Sequence, residues 1–145
     1  MMTTENFATF QFPSKSCNEG FARSATACFV AQLDPTLEEL NDIKTVISEG
    51  VTNATVHAYP DSIGKISIKL RLLEGNLLEI TIQDWGVGIP NVDQARTPLF
   101  TTGNEDRSGM GFTIMESFMD SLKIRSREGK GTTIVLRRKF RRRLL

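Results

Sequence analysis

Four short runs in which apolar and polar residues alternate constrain the fold of this chain more than any other feature of its sequence. The first two runs, 66–72 and 78–83, are separated by a short turn that contains glycine, and so are the last two, 122–125 and 132–138. Alternation with a period of two is typical of strands with one buried face, and a short glycine turn joins such strands into an antiparallel hairpin. Because every run is apolar on one side only, the sequence predicts an antiparallel sheet that helices cover on one face.

Three segments before the first hairpin predict one more strand and two helices. Residues 7–13 are rich in aromatic side chains and end at a proline, which favours a strand. Residues 18–32 favour a helix. A longer helix is predicted from Thr36 to His57, with Asp34 as its cap, because its apolar residues recur at intervals of three and four.

A long loop and a short helix separate the two predicted hairpins. Residues 91–108 are rich in Thr, Pro, Gly and charged residues, and a structureless loop of about 18 residues in a small domain is often a lid over a site. The short helix is expected to follow at 109–118. The predicted fold class is therefore α+β, a two-layer sandwich with a mostly antiparallel sheet and helices on one face, in a single domain spanning residues 1–145.

The composition is that of a soluble globular protein. Of the 145 residues, 39% are hydrophobic and 24% are charged, and no apolar stretch approaches the roughly 18 residues that a membrane-spanning helix requires. The first residues lack the basic and apolar regions of a secretion signal, and Cys17 and Cys28 are too few for a disulfide framework. We therefore expect a cytoplasmic protein with reduced thiols and no membrane partner.

Positive charge is concentrated near the end of the chain. Ten Lys and Arg residues lie between Lys123 and Arg143, with Glu128 as the one acid, whereas residues 1–122 carry a net charge of −8. A basic segment raises the question of nucleic-acid binding. Most of these charges alternate with apolar residues, as on the open face of a sheet, and aromatic platforms for bases are lacking. Direct nucleic-acid binding is therefore not expected, and the basic tail at 140–145 has no assigned role.

A polar stripe runs along the long helix. Glu49, Asn53 and His57 are spaced by four residues and therefore share one side of the helix. A solvated surface would explain such a stripe. Val46 and Val56 lie on the same half of the helix, however, which indicates that protein or a ligand covers this second face. We interpret His57 as a packing or capping residue.

Two glycine-rich segments lie further along the chain. The segment Asp84–Gly88 ends a predicted strand, where two glycines permit either a plain turn or the close approach of a flat ligand. The segment Arg107–Phe112 opens the last helix, where backbone N–H groups and an arginine can bind an anion. The alternative for the second segment is a flexible entry into a core helix. No GxxxxGK[ST] sequence is present, which excludes the P-loop class.

Taken together and in this order, the three clusters resemble the GHKL superfamily of ATPases and kinases, which share the Bergerat ATP-binding fold. Glu49–Asn53 resembles its N box, Asp84–Gly88 its first glycine box and Gly109–Gly111 its second. Nearly the whole chain, from about residue 10 to 139, is similar to the bacterial anti-sigma factor serine kinases of the sporulation sigma F type. The segments that carry this closer similarity are Phe21–Arg23, Ala31–Thr36 and Thr101–Glu116.

The resemblance implies a site for ATP or ADP and Mg²⁺ between the long helix and the lid. It implies that Glu49 is the general base, that Asn53 is the side-chain ligand of Mg²⁺, and that Asp84 accepts a hydrogen bond from the adenine amino group. Gly86, Gly88, Ile89 and Thr132 would surround the adenine. The phosphates would contact Arg107, Ser108, Gly109, Met110 and Gly111.

The resemblance also implies partners. A protein of this kind binds and inhibits a sigma factor of the sigma F type, phosphorylates a serine of an anti-anti-sigma factor, and is a homodimer. Arg23 would lie on the surface that binds both partners. A nucleotide-dependent sigma-binding module without significant kinase activity is the alternative, and the carboxylate of Glu49 argues against it. One departure from the pattern is Gly50, where alanine is usual in the family.

Overall fold

The computed structural model describes residues 2–96 and 111–141, and these form one five-stranded sheet with helices on one face. The strand order is β1-β2-β3-β5-β4, and every pair of neighbours is antiparallel. Both predicted hairpins and the predicted fold class are therefore confirmed. The strands are β1 (Thr4–Pro13), β2 (Lys65–Leu73), β3 (Leu77–Asp84), β4 (Ser121–Arg127) and β5 (Gly131–Lys139).

The helical layer packs on the apolar side of this sheet. The longest helix packs against the first helix and against the last one, so it lies at the centre of the layer. No helix in the described ranges is long and apolar enough to cross a membrane. The helices are α1 (Asn18–Val30), α2 (Leu37–Thr52), α3 (Val92–Ala95) and α4 (Gly111–Phe118), with a 3₁₀ turn at Ala31–Leu33 and a π-helix at Asn53–Ala58.

The N-terminus of α2 differs from the sequence prediction. Thr36, rather than Asp34, is the cap: its side chain accepts a hydrogen bond from the Glu39 amide at 3.0 Å, and the Glu39 side chain accepts one from the Thr36 amide at 2.8 Å. This reciprocal capping box satisfies two N–H groups that the helix leaves without intrahelical partners. Asp34 instead adopts a left-handed conformation with φ 50°, which ends the preceding 3₁₀ turn.

The end of α2 also differs, because the helix changes type. The continuous α-helix predicted to His57 ends at Thr52, and Asn53–Ala58 form a π-helix that is closed by a hydrogen bond from the Tyr59 amide to the Ala54 carbonyl at 3.1 Å. π-Helical turns are rare in proteins, and those that do occur are often located at functional sites. The change of helix type begins at Asn53, one of the three residues of the polar stripe.

The loop predicted over 91–108 contains a helix at its start. Asn91 caps α3 by accepting a hydrogen bond from the Gln94 amide at 3.0 Å. Residues 97–110, which hold the remainder of the predicted lid, lie outside the described residues.

The open face of the sheet carries a buried carboxylate at its centre. Glu79 on β3 is only 5% exposed, and it accepts hydrogen bonds from Arg71 on β2 at 2.8 Å and from Arg137 on β5 at 2.9 Å. Burial alone would raise the pKa of Glu79, but the two guanidinium groups lower it below its usual value. The three side chains therefore connect the three central strands on the face that no helix covers.

The position of Gly50 is explained by packing between α2 and the sheet. Gly50 is buried, and a Cβ at this position would run into Cδ1 of Ile82 on β3. A glycine inside a helix costs roughly 1 kcal/mol relative to alanine. Glycine is a poor helix former, but at position 50 it permits the close packing of α2 against Ile82 of the sheet.

We expect Gly50→Ala to be stabilising only when Ile82 is shortened. In the Ile82→Val background, which lacks Cδ1, alanine should raise the free energy of unfolding by up to about 1 kcal/mol. In the wild-type background the clash should cancel that gain or reverse it. Urea unfolding of the four proteins in the cycle measures the difference.

Gly20→Ala is the matched control, because a Cβ at Gly20 on α1 meets only Arg23 Nη2 at 3.6 Å, an ordinary contact. Its effect should be the same in both backgrounds. An equal effect of Gly50→Ala in both backgrounds would contradict the packing explanation.

Candidate functional site

Glu49 and Asn53 meet the start of α4. Glu49 lies in the last turn of α2 and Asn53 is the first residue of the π-helix that follows. A Cβ built at Gly111 would lie 3.4 Å from Glu49 Oε2 and 3.5 Å from Asn53 Oδ1. The backbone at Gly111 therefore lies beside a carboxylate, an amide and a helix N-terminus. The first N–H groups of a helix carry partial positive charge and favour anions. This arrangement can hold an anionic group next to a proton acceptor.

Asp84 forms the second part of the site, at the end of β3. Its carboxylate is 7% exposed, and Oδ1 accepts hydrogen bonds from the amides of Gly86 at 3.0 Å and Thr132 at 3.2 Å. Both hydrogen bonds that the described residues donate to this carboxylate reach Oδ1, and none reaches Oδ2. Burial raises the pKa of Asp84, while the two backbone donors act in the opposite direction.

The glycine turn after Asp84 is held between two backbone segments. A Cβ at Gly86 would collide with the carbonyl of Ala58, and one at Gly88 would collide with the carbonyl of Arg127. Gly88 also has φ +79°, which glycine adopts without strain. The amide of Val87 donates to the Ala58 carbonyl at 2.9 Å. Glycine is thus required at 86 and 88 because a Cβ at either position would collide with protein backbone. This reason differs from the close approach of a ligand, which the sequence analysis gave.

Ser126 connects this turn to Thr132, and the sequence analysis missed it. Its Oγ accepts a hydrogen bond from the Ile89 amide at 2.7 Å, donates to the Gly131 carbonyl at 3.1 Å, and lies 2.8 Å from Thr132 Oγ1. A signal was present, because Ser126 follows Leu122 and Ile124 on the inward face of β4 and is the one polar residue there. A hydroxyl on an apolar face needs partners when it is buried.

Tyr59 is a second residue that the sequence analysis did not select. Its hydroxyl donates to the Lys65 carbonyl at 2.7 Å and accepts from the Trp85 amide at 2.7 Å, so it joins the end of the π-helix to the turn after Asp84. Burial raises the pKa of Tyr59; the Trp85 amide lowers it and the charge of Asp84 raises it further. Trp85 itself is 44% exposed, with the Lys65 ammonium 4.3 Å from its ring centroid.

The remaining predicted residues fall into three groups. Ile89 is partly buried against the core. Arg23 lies on α1, where Nη1 donates to Glu19 at 3.0 Å and to Ser48 on α2 at 3.1 Å, so it links two helices. Of the predicted phosphate-binding residues, only Gly111 is among those that the structure describes. The others lie outside the described residues: Arg107, Ser108, Gly109 and Met110.

The comparisons with known proteins identify the family of this chain. The family profile described as "Histidine kinase-like ATPase domain" matches residues 12–138. The chain belongs to this family. The residues that the family profile matches include Glu49, Asn53, Asp84 and Thr132.

Curated members of the histidine kinase-like ATPase family are similar to the chain over most of its length. The anti-sigma F factor of Geobacillus kaustophilus (strain HTA426) is 53% identical over 132 residues, which is 88% of each chain. That of Bacillus cytotoxicus is 56% identical over 90% of each chain. That of Clostridium perfringens (strain SM101 / Type A) is 49% identical over 94% of this chain and 98% of the relative.

Solved structures share the fold at lower identity. The RsbU and RsbW domains of Rv1364c from Mycobacterium tuberculosis align with a TM-score of 0.66 at 18% identity, over 92% of this chain and 32% of that one. The histidine kinase domain from the Erythrobacter litoralis EL346 blue-light activated histidine kinase aligns with a TM-score of 0.55 at 22% identity, over 82% and 59%. These structures support the fold assignment.

The side chains beside Gly111 offer oxygen atoms, the ligands that Mg²⁺ prefers. Across residues 2–96 and 111–141, no group of three or more His, Cys, Asp or Glu side chains could hold a metal ion. Asn53 and Glu49 offer oxygen atoms beside the space at Gly111, and oxygen ligands suit Mg²⁺, which usually takes its other ligands from phosphates and water. The oxygen atoms of Glu49 and Asn53 beside Gly111 thus suit a cation that is shared with phosphate oxygens.

We expect Ser126→Ala to lower the free energy of unfolding by about 1 kcal/mol, because two partly buried donors lose their acceptor. The Ile89 amide and the Thr132 hydroxyl both lose their partner in this variant. Ser126→Thr keeps the oxygen and should restore part of the loss. Chemical denaturation provides the measurement.

Ser121→Ala on the same strand is the control, because Ser121 is exposed. Its effect should stay within about 0.5 kcal/mol. Equal effects of Ser126→Ala and Ser121→Ala would contradict the role that we assign to Ser126.

Proposed function

We propose that this chain is an anti-sigma factor of the sigma F type and an ATP-dependent protein serine kinase that phosphorylates an anti-anti-sigma factor. The observation that carries the proposal is the convergence of Glu49 and Asn53 on the backbone at Gly111. The similarity to proteins named anti-sigma F factor supports the choice of partner. We take residues 1–145 as one such domain, acting in the cytoplasm.

At the adenine end, Asp84 is the residue that selects the base. Its Oδ1 is held by two backbone amides, and Oδ2 would accept a hydrogen bond from the exocyclic amino group. Thr132 would add a hydroxyl beside the base, in an orientation that Ser126 limits. Ile89 would contribute an apolar wall, and Gly86 and Gly88 fix the path of the turn.

At the phosphate end, Glu49 is the general base. Its carboxylate would accept the proton of the attacking serine hydroxyl as the oxygen bonds to the terminal phosphorus of ATP and ADP leaves. Asn53 would be the side-chain ligand of Mg²⁺, which when bound neutralises charge on the phosphates. Gly111, with Arg107, Ser108, Gly109 and Met110, would bind the phosphates through backbone N–H groups and one guanidinium.

The partner surface includes Arg23 on α1. Its guanidinium is held by Glu19 and Ser48 and remains partly exposed, so a charged group of fixed position is available to another protein. We propose that this surface binds the sigma factor and the anti-anti-sigma factor, and that the protein acts as a homodimer without direct contact to nucleic acid or membrane.

We expect Arg23→Glu to weaken sigma-factor binding by about tenfold or more while ATP affinity is retained, because attraction at a central contact becomes repulsion. Co-purification and calorimetry with the sigma factor measure the first effect, and nucleotide titration the second. Lys15→Glu, an equal charge change at an exposed residue beside α1, is the control and should bind normally. Normal sigma-factor binding by Arg23→Glu would contradict the assignment.

The decisive test of the proposed function is γ-labelled ATP with a purified anti-anti-sigma factor, followed by mapping of the labelled residue. Label on a serine of the partner supports the kinase. Sigma-factor binding that depends on nucleotide, with no transfer of label, would instead support the alternative of a binding module without significant kinase activity.

A further inference from the structure

The edge of the sheet at β4 borders a groove, and of the residues that line it the proposed function uses only Ser126, through its contact with Thr132. β4 is the last strand in the order β1-β2-β3-β5-β4, and its inner neighbour is β5. α3 contacts β4. A groove of about 470 Å³ lies there. It is lined by Val92 of α3, by Ile124, Arg125, Ser126 and Arg127 of β4, by Lys130 of the following turn, and by Gly131 at the start of β5.

The lining includes residues of both faces of β4 and reaches Gly131 of β5 at the end of the hairpin. Consecutive side chains of a strand point to opposite faces of the sheet. The groove nevertheless touches four consecutive residues of β4, from Ile124 to Arg127. It therefore runs beside the backbone of β4, where an edge strand presents N–H and C=O groups that do not bond within the sheet.

The positive charge beside this groove indicates which kind of partner it can bind. Arg125 and Arg127 are exposed on the same face of β4, Lys123 precedes them on that face, and Lys130 is exposed in the turn. Among the described residues, none of these four side chains forms an ion pair. Like charges repel a second copy of β4, which protects the edge from self-association. The same charges would attract a strand that carries acidic side chains.

We propose that the groove between α3 and β4 binds an extended acidic segment of another protein, which adds to β4 as a sixth strand. In such a strand every second side chain lies on the face of Lys123, Arg125 and Arg127, at a spacing of about 6.8 Å that matches theirs. Addition of a strand to a sheet edge beside a helix is an established mode of peptide recognition. An acidic residue at every second position is the expected sequence pattern.

The test uses the full-length protein and a blocked peptide of about eight residues with alternating Thr and Glu. Backbone amide shifts are followed by NMR as the peptide is titrated to about 1 mM, a concentration that detects weak binding. We expect the largest shifts at 121–127 and at Lys130. Absence of shifts in β4 at that concentration overturns the proposal.

Two further peptides and one polyanion separate strand addition from simple attraction of charge. A peptide of the same sequence with alternate backbone amides methylated keeps its charge but cannot pair along the methylated edge, so it should bind at least tenfold more weakly. A second control peptide, in which Thr alternates with Lys instead of Glu, should not bind. Equal binding of the methylated peptide, or tighter binding of single-stranded oligo(dT), would show a general anion-binding surface and overturn the proposal.

A pair of variants completes the test. Arg125→Glu/Arg127→Glu should weaken peptide binding at least tenfold. Lys69→Glu/Lys139→Glu makes the same change in charge at exposed residues of other strands and should weaken it by less than threefold. Equal losses in the two double variants would place the peptide elsewhere. ATP titration, in which both variants should resemble the wild type, shows that the folds are intact and keeps this result separate from that of the proposed function.

Discussion

Glu49→Gln should slow phosphate transfer to the anti-anti-sigma factor by about 10²–10⁴-fold, the usual loss when a general base is removed. The amide keeps the shape of the side chain but cannot take the proton of the serine hydroxyl. Asn53 and the backbone at Gly111 are unchanged, so the affinity for Mg-nucleotide should stay within a few-fold of the wild type. Sigma-factor binding should persist, and the bound sigma factor should resist release by the anti-anti-sigma factor.

Three assays decide this prediction: nucleotide binding, sigma-factor binding and transfer of labelled phosphate. Glu38→Gln makes the same change at an exposed residue in the first turn of α2 and should behave as the wild type in all three. Transfer within a few-fold of the wild type in Glu49→Gln would show that Glu49 is not the base. Loss of all three activities would make Glu49 a structural residue of α2.

Asp84→Asn should weaken ATP binding by roughly 10- to 150-fold, which corresponds to the 1.5–3 kcal/mol of a hydrogen bond to a charged group. The Gly86 and Thr132 amides both require an acceptor at the Oδ1 position, so the asparagine oxygen should occupy that position. The asparagine Nδ2 then takes the place of Oδ2 and presents a donor to the amino group of adenine.

The same geometry gives Asp84→Asn a reversed preference for the base. ITP has a carbonyl oxygen where ATP has the amino group, so it should bind the variant at least as well as ATP does, whereas the wild type should favour ATP. Calorimetric titration with both nucleotides measures this ratio. Asp61→Asn, at an exposed residue after the π-helix, should keep the wild-type ratio. An unchanged ratio in Asp84→Asn would remove Asp84 from the base site.

The parts of the fold that could be predicted from sequence follow from periodicity. In β2, β3 and β5 the residues that face the helices are mostly buried, so the alternation of residues such as Ile66 and Ile68 with polar neighbours indicates which face is covered. In β4 only Leu122 is buried. The resemblance to a known family added the grouping of Glu49, Asn53 and Asp84, which periodicity alone could not bring together. The structure places Glu49 and Asn53 together at Gly111, and the presence of Asp84 in the same site stays a prediction.

The parts that could not be predicted depend on contacts between distant segments. The change from α- to π-helix at Asn53 could not be predicted from residue composition, because the preceding residues favour a helix of either type. Tyr59 and Ser126 act through hydrogen bonds to Lys65, Trp85 and Ile89, which are remote from them in sequence or on another strand. The cap at Thr36 differs in this respect, since its T-x-x-E pattern was readable and was overlooked.

The glycine contacts have a consequence for genetic suppression. At Gly50 the atom in the way is the tip of the Ile82 side chain, so a second mutation that shortens Ile82 can rescue a larger residue. At Gly86, Gly88 and Gly131 the atoms in the way are the carbonyls of Ala58, Arg127 and Asp84, which every amino acid carries. A screen for second-site revertants should therefore recover partners for Gly50→Ala, while substitutions at the other three glycines should revert only at their own codons.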